Sequence, residues 1–204
     1  MTCIAGAVIN GEICIGGDAV SVQDSSAARV GVLSKVFWVD EFLIGTSGSV
    51  RCGQIVRYLF DPPSIEGDLT AYMIQQFIPA LRQLMKDQGG ECTKESGDTE
   101  MDGRLLVGVR GKLYDIDPAY SVFESYVPYA AIGCADQEAL AAMYTAYSLL
   151  ESPLAEDIVN RGLLAAAEFD TSVRPPFTVL TLPQNVSRET LGIVTDNGYQ
   201  LAKR

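Results

Sequence analysis

Thr2, Asp18 and Lys35 are side chains near the start of this chain whose types fit one hydrolytic chemistry. The chain contains no histidine, so a hydroxyl nucleophile must find its base elsewhere. A threonine at position 2 can carry its own, because removal of Met1 exposes an α-amine on the residue that holds the hydroxyl. The unperturbed pKa of such an amine is roughly 7.7–8, near the value that suits proton transfer at neutral pH. A threonine hydroxyl paired with its N-terminal amine is an activated nucleophile. Taken singly, Asp18 after Gly16-Gly17 reads as a strand terminator and Lys35 as a strand-edge charge. Only their placement relative to Thr2 turns the three into a site.

That placement follows from local sequence. Residues 3–9 and 12–17 read as short apolar strands separated by Asn10-Gly11, a pair that tolerates the positive φ values of a tight hairpin turn. An antiparallel hairpin brings its two ends together, so Asp18 is expected beside Thr2. Further strands are expected at 29–33, 35–39 and 42–45, with a turn at Asp40-Glu41. The stretch Thr46-Ser47-Gly48-Ser49 reads as a strand-to-helix turn, with Ser49 capping a helix that runs to about Phe60 before Asp61-Pro62-Pro63.

An amphipathic helix is expected over 69–87, kinked or broken at Pro79. The polar, glycine-rich stretch 88–103 reads as a mobile loop. A second β block follows at 104–110 and 112–116, with extended chain to Ile132. Then come helices at 135–150 and 154–169, a strand at 177–182, and another strand at Leu191–Val194. The order strands, two helices, strands, two helices, strand predicts an α+β fold. Its expected form is a four-layer αββα sandwich, two antiparallel sheets face to face with helix pairs outside.

Composition narrows the function. At 204 residues, with 48% hydrophobic and 20% charged residues, the chain reads as a single globular domain over 1–204, its mature form starting at position 2. The net charge of −11 argues against nucleic acid and anionic membranes, which attract basic patches. Five scattered cysteines form no Cys-x-x-Cys pair, which indicates neither a disulfide framework nor a metal site. No cofactor is implied. The start lacks a basic leader and no apolar run suggests a membrane span, so the expected location is the cytoplasm.

Several pieces together resemble the proteasome β subunits and the peptidase subunit of the bacterial two-component protease, both N-terminal nucleophile hydrolases. They are Met1-Thr2, the hairpin ending Gly16-Gly17-Asp18, Lys35-Val36 opening a strand, and Phe42-Leu43-Ile44-Gly45-Thr46 before a turn of small residues. The Leu105–Ile116 hairpin and Ala131-Ile132-Gly133 before a helix complete the set. The resemblance implies a threonine peptidase acting on peptides or unfolded protein. Thr2 would be the nucleophile, with Asp18 holding a charged Lys35 against its hydroxyl. Gly48 and Ser49 would offer backbone N–H groups to an oxyanion, and Ser47 would line the pocket for the substrate side chain.

Cys134, Asp170 and Ser172 (or Thr171) would orient the amine, Cys134 standing where the family usually has serine between glycines. The resemblance further implies a homo-oligomeric ring fed by a separate ATPase unfoldase. The alternatives are a small-amide hydrolase built on the same machinery and a catalytically silent ring-forming or binding subunit.

Overall fold

The computed structural model describes residues 2–23, 27–30 and 33–184; Met1 and the strand expected at Leu191–Val194 lie outside them. Strands β1 (Cys3–Ile9) and β2 (Glu12–Asp18) form the expected hairpin. Asn10 and Gly11 have φ of 51° and 79°, the positive pair that such a turn demands. A two-stranded ribbon of β3 (Val20–Gln23) and β4 (Ala27–Val30) follows. Next come β5 (Val36–Val39), β6 (Phe42–Gly48) and helix α1 (Val50–Leu59). Helix α2 (Leu69–Tyr72) runs through a wide π-turn (Met73–Phe77) into α3 (Ile78–Gln88).

The second β block comprises β7 (Glu91–Thr93), β8 (Thr99–Met101), β9 (Gly103–Val109), β10 (Lys112–Ile116), β11 (Val122–Glu124) and β12 (Tyr129–Gly133). Helices α4 (Asp136–Leu149) and α5 (Ala155–Phe169) and strand β13 (Phe177–Leu182) complete the described elements.

The strands form two antiparallel sheets, ordered β12-β1-β2-β13 and β11-β10-β9-β6-β5, beside the two ribbons β3-β4 and β7-β8. Ile4, Ile13 and Ile15 from the first sheet pack against Leu43, Leu106 and Leu113 from the second, making a core between the sheets. The alternate residues Cys3, Ala5, Ala7 and Cys14 pack outward against Ile158, Val159 and Leu163 of α5 and Met143 of α4. On the other side, Phe42, Ile44, Leu105 and Val107 meet Ile55 and Val56 of α1, Phe77, and Leu81 of α3. This is the four-layer αββα sandwich. It explains why β1 and β2 are apolar at nearly every position: a strand covered on both faces has no solvent side on which to place polar residues.

Four local features depart from the sequence reading. Strand β6 runs on to Gly48, so Thr46–Gly48 are strand residues and the turn is compressed to Ser49. Pro79 neither breaks nor ends its helix. The π-turn ahead of it brings the Ile78 N–H to the Met73 carbonyl, a wider turn that spares the hydrogen bond proline cannot make. The stretch 88–103 carries the β7-β8 ribbon, closed by Lys94 N–H on the Asp98 carbonyl (2.9 Å) and a Lys94–Glu100 ion pair (2.6 Å). The strand expected at 29–33 ends at Val30 among the described residues and pairs with β3, which was not expected. Among the described residues, no helix is long and apolar enough to cross a membrane.

Candidate active site

The hairpin does what its turn predicts. Asp18 is the last residue of β2, and its Oδ1 accepts the Cys3 N–H at 3.0 Å, which ties the start of β1 to the end of β2. Lys35 Nζ donates to Asp18 Oδ1 and Oδ2 at 3.0 and 2.9 Å and to Thr2 Oγ1 at 2.8 Å. The Asp18 side chain is fully buried and the Lys35 side chain is 16% exposed. Burial pulls the Lys35 pKa below its ordinary value, while the charge and hydrogen bonds of Asp18 push back. The outcome is an ammonium aimed at the threonine oxygen and anchored from behind.

The backbone of Lys35 is held as firmly as its tip. Its carbonyl accepts the Thr46 N–H at 2.9 Å and the Thr46 hydroxyl at 3.4 Å. Just before it, the Ser34 carbonyl accepts from Arg57 Nη1 at 3.3 Å, and the Arg57 guanidinium lies over the Phe37 ring. Nothing in the local sequence marks Arg57 as a support. The available signal was its place on a helix packed beside β5, which only the fold reveals.

Cys134, Asp170 and Ser172 gather on the other side of Thr2. The Cys134 N–H donates to the Thr2 carbonyl at 2.9 Å, and Thr2 N–H donates to Cys134 Sγ at 3.3 Å. Cys134 Sγ is 3.4 Å from Ser172 Oγ, which donates to Asp170 Oδ1; that oxygen also accepts the Ser172 N–H at 2.8 Å. The hydrogen bonds from the Ser172 side chain, then from its backbone, hold the Asp170 carboxyl below its ordinary pKa. Of the two hydroxyls the sequence offers here, Ser172 is buried in this chain of contacts and Thr171 is exposed.

Gly133 makes the arrangement possible. Its φ is 114°, and a Cβ there would collide with the Thr2 carbonyl. Only glycine lets β12 turn sharply enough to set Cys134 against Thr2.

The three residues expected to face substrate separate. Ser47 is buried and, by strand alternation from Leu43 of the inter-sheet core, lies on the inter-sheet face of β6. The Thr46 N–H points toward β5, so alternation turns the Gly48 N–H to the same side; Gly48 itself is exposed, with φ 96°. Ser49 is committed to the fold: its N–H donates to the Asp102 carbonyl (3.0 Å), and its Oγ accepts from Arg51 N–H (3.2 Å) as the cap of α1. Beside Ser47 in the sheet register stands Arg104, bound through Nε to Asp115 Oδ1 at 2.8 Å. Neither residue carries a local motif; the Arg110-Gly111 turn sets the register that brings the two together.

No protein family matches the sequence, and no curated protein matches it. Solved structures do match the fold. The chain is similar to BPH from Thiobacillus denitrificans in complex with epoxomicin, at 19% identity and a TM-score of 0.75, over 91% of this chain and 100% of that one. It is similar to HslV from Trypanosoma brucei, at 17% identity and a TM-score of 0.62, over 88% and 98% of the two chains. It is also similar to Anbu from Yersinia bercovieri, at 15% identity and a TM-score of 0.63, over 89% and 82%. The chain therefore has the fold of the proteasome-like N-terminal nucleophile hydrolases.

Proposed function

We propose that this chain is a threonine peptidase whose nucleophile is Thr2 after removal of Met1. The observation that carries the reading is the Lys35 ammonium 2.8 Å from Thr2 Oγ1, held by the two hydrogen bonds it donates to a buried Asp18. A cation there stabilises the developing alkoxide and lowers the pKa of the neighbouring amine, leaving more of it unprotonated.

In the proposed reaction Thr2 Oγ attacks the peptide carbonyl carbon while its proton passes to the α-amine. The oxyanion takes the Gly48 N–H, a preorganised donor of the kind whose removal costs about 10²–10³-fold in rate. Collapse breaks the C–N bond, the leaving amine takes the proton from the α-ammonium, and water hydrolyses the ester. Cys134, backed by Ser172 and Asp170, holds the amine in line. Holding nucleophile and base on one residue removes much of the entropic cost of bringing them together.

The assembly we propose is a homo-oligomer enclosing the sites, with a separate unfoldase as feeder. Supporting self-association, but not the enclosure, an Anbu complex from Pseudomonas aeruginosa, at 15% identity and a TM-score of 0.61, is described as a helical assembly. The test is turnover of a fluorogenic peptide by the chain and by Thr2→Ala, with light scattering to size both. Loss of turnover in a variant of unchanged size is the expected result, and turnover that survives Thr2→Ala refutes the mechanism. Epoxomicin, bound by the Thiobacillus protein, should raise the Tm of the chain but not that of Thr2→Ala.

A further inference from the structure

The thiol at position 134 brings a chemistry that an oxygen in its place would lack. We propose that Cys134 Sγ and the α-amine of Thr2 form a reversible oxidative cross-link, in which a hydroperoxide couples them through a sulfur–nitrogen bond and silences the site. This rests on the reading that Met1 is removed, since a peptide nitrogen is not the nucleophile required.

Two observations converge on it. Cys134 is exposed, so a small peroxide can reach it. Its sulfur already stands 3.3 Å from Thr2 N, so no segment has to rearrange for the two to meet.

The steps balance. The Cys134 sulfur attacks one peroxide oxygen; an S–O bond forms, the O–O bond breaks, and the thiol proton passes to the departing oxygen, which leaves as an alcohol or water. Sulfur loses two electrons and the peroxide gains them. Such a sulfenic acid condenses with a thiol or with a nitrogen nearby. Here the amine lone pair attacks sulfur, the S–N bond forms, the S–O bond breaks, and water departs with one amine proton. A reducing thiol reverses the link: it attacks sulfur, its proton goes to the departing amine, and a second thiol frees Cys134.

Other partners are poorly placed. Cys3 is buried on the helix side of β1, its thiol turned to the Ala135 carbonyl at 3.7 Å. Burial, then the charge of Asp18, pushes its pKa up to about 12. Cys14 and Cys52 are buried with pKa values also about 12, and Cys92 sits on the β7-β8 ribbon. The Lys35 nitrogen is occupied as a donor to Thr2 and Asp18.

The experiment treats the full chain, first shown by intact mass to lack Met1, with hydrogen peroxide. The expected mass falls by two hydrogens, and a non-reducing peptide map joins the Thr2 peptide to the Cys134 peptide. Turnover is lost, and dithiothreitol restores both mass and turnover. Cys134→Ser, scored against its own untreated rate, resists peroxide. Three results overturn the proposal: oxygen gained at Cys134 with no link, a link from Cys134 to another cysteine, or equal peroxide sensitivity in Cys134→Ser. Met1 retained in the untreated chain would fail the peptidase reading and take this proposal with it. A Met1-free chain whose Cys134 stays unlinked fails this proposal alone.

Discussion

Replacing Asp18 with asparagine separates charge from shape at the centre of the site. The amide has nearly the volume of the carboxylate and keeps an oxygen for the Cys3 N–H, now 3.0 Å from Asp18 Oδ1. It removes the negative charge that takes two bonds from Lys35, a side chain only 16% exposed. Removing one partner of a buried ion pair costs about 3–5 kcal/mol. In a domain of this size about 1 kcal/mol moves Tm by roughly 2–4 °C, so a fall of roughly 6–20 °C is expected at neutral pH.

The sign of the pH dependence follows from Lys35. Its folded pKa lies below the ordinary value because of burial, and Asp18→Asn removes the opposing push, so the gap widens. Between the folded and unfolded pKa values the unfolded chain binds more protons, and stability rises with pH through that window. The Tm deficit of Asp18→Asn should therefore shrink as pH climbs toward the ordinary lysine value of about 10.4. Adding Lys35→Met should recover most of the stability by removing the stranded charge, while turnover stays about 10²–10³-fold down for want of the cation. Thermal melts across pH, with peptide turnover on the same samples, check both limbs. A deficit that is flat with pH, or a double variant no more stable than the single one, would refute the reasoning.

Gly133→Ala should drop Tm by about 5 °C or more and abolish turnover. It forces a Cβ into the Thr2 carbonyl at a φ of 114°, strain of about 1–3 kcal/mol before the clash is counted; melts and turnover read it. Cys134→Ser should raise kcat/KM by up to about fivefold, because a hydroxyl is a stronger hydrogen-bond partner than a thiol and about 1 kcal/mol of better amine orientation is at stake; steady-state kinetics decide. Asp170 has a folded pKa below its ordinary value, so its contribution to stability is present above the ordinary carboxylate value and is lost as pH falls through the folded one. Melts in acid should thus show the chain losing stability faster than Asp170→Asn over that range.

Much of this geometry was legible from short-range signals. Asn10-Gly11 set a hairpin, and the hairpin put Asp18 next to the start of the chain. The apolar spacing of α5 announced a sheet beneath it, and Leu163 and Val159 do pack on that sheet. What was illegible lacked an apolar signature. The β7-β8 ribbon is largely exposed and polar, so neither helical nor strand periodicity marks it. Ser49 read correctly as a cap but was also credited with an oxyanion N–H, which the Asp102 carbonyl occupies. That contact joins residues far apart in sequence and depends on how β6 meets β9. Arg57 behind Ser34 was illegible for the same reason.

The chemistry stands or falls on the state of one nitrogen. Intact mass of the purified chain, with sequencing of its first residues, tests this most directly. The expected result is a chain lacking Met1 that begins with an unmodified Thr2. A retained Met1, or a Thr2 amine that is blocked, contradicts the claim that Thr2 is both nucleophile and base.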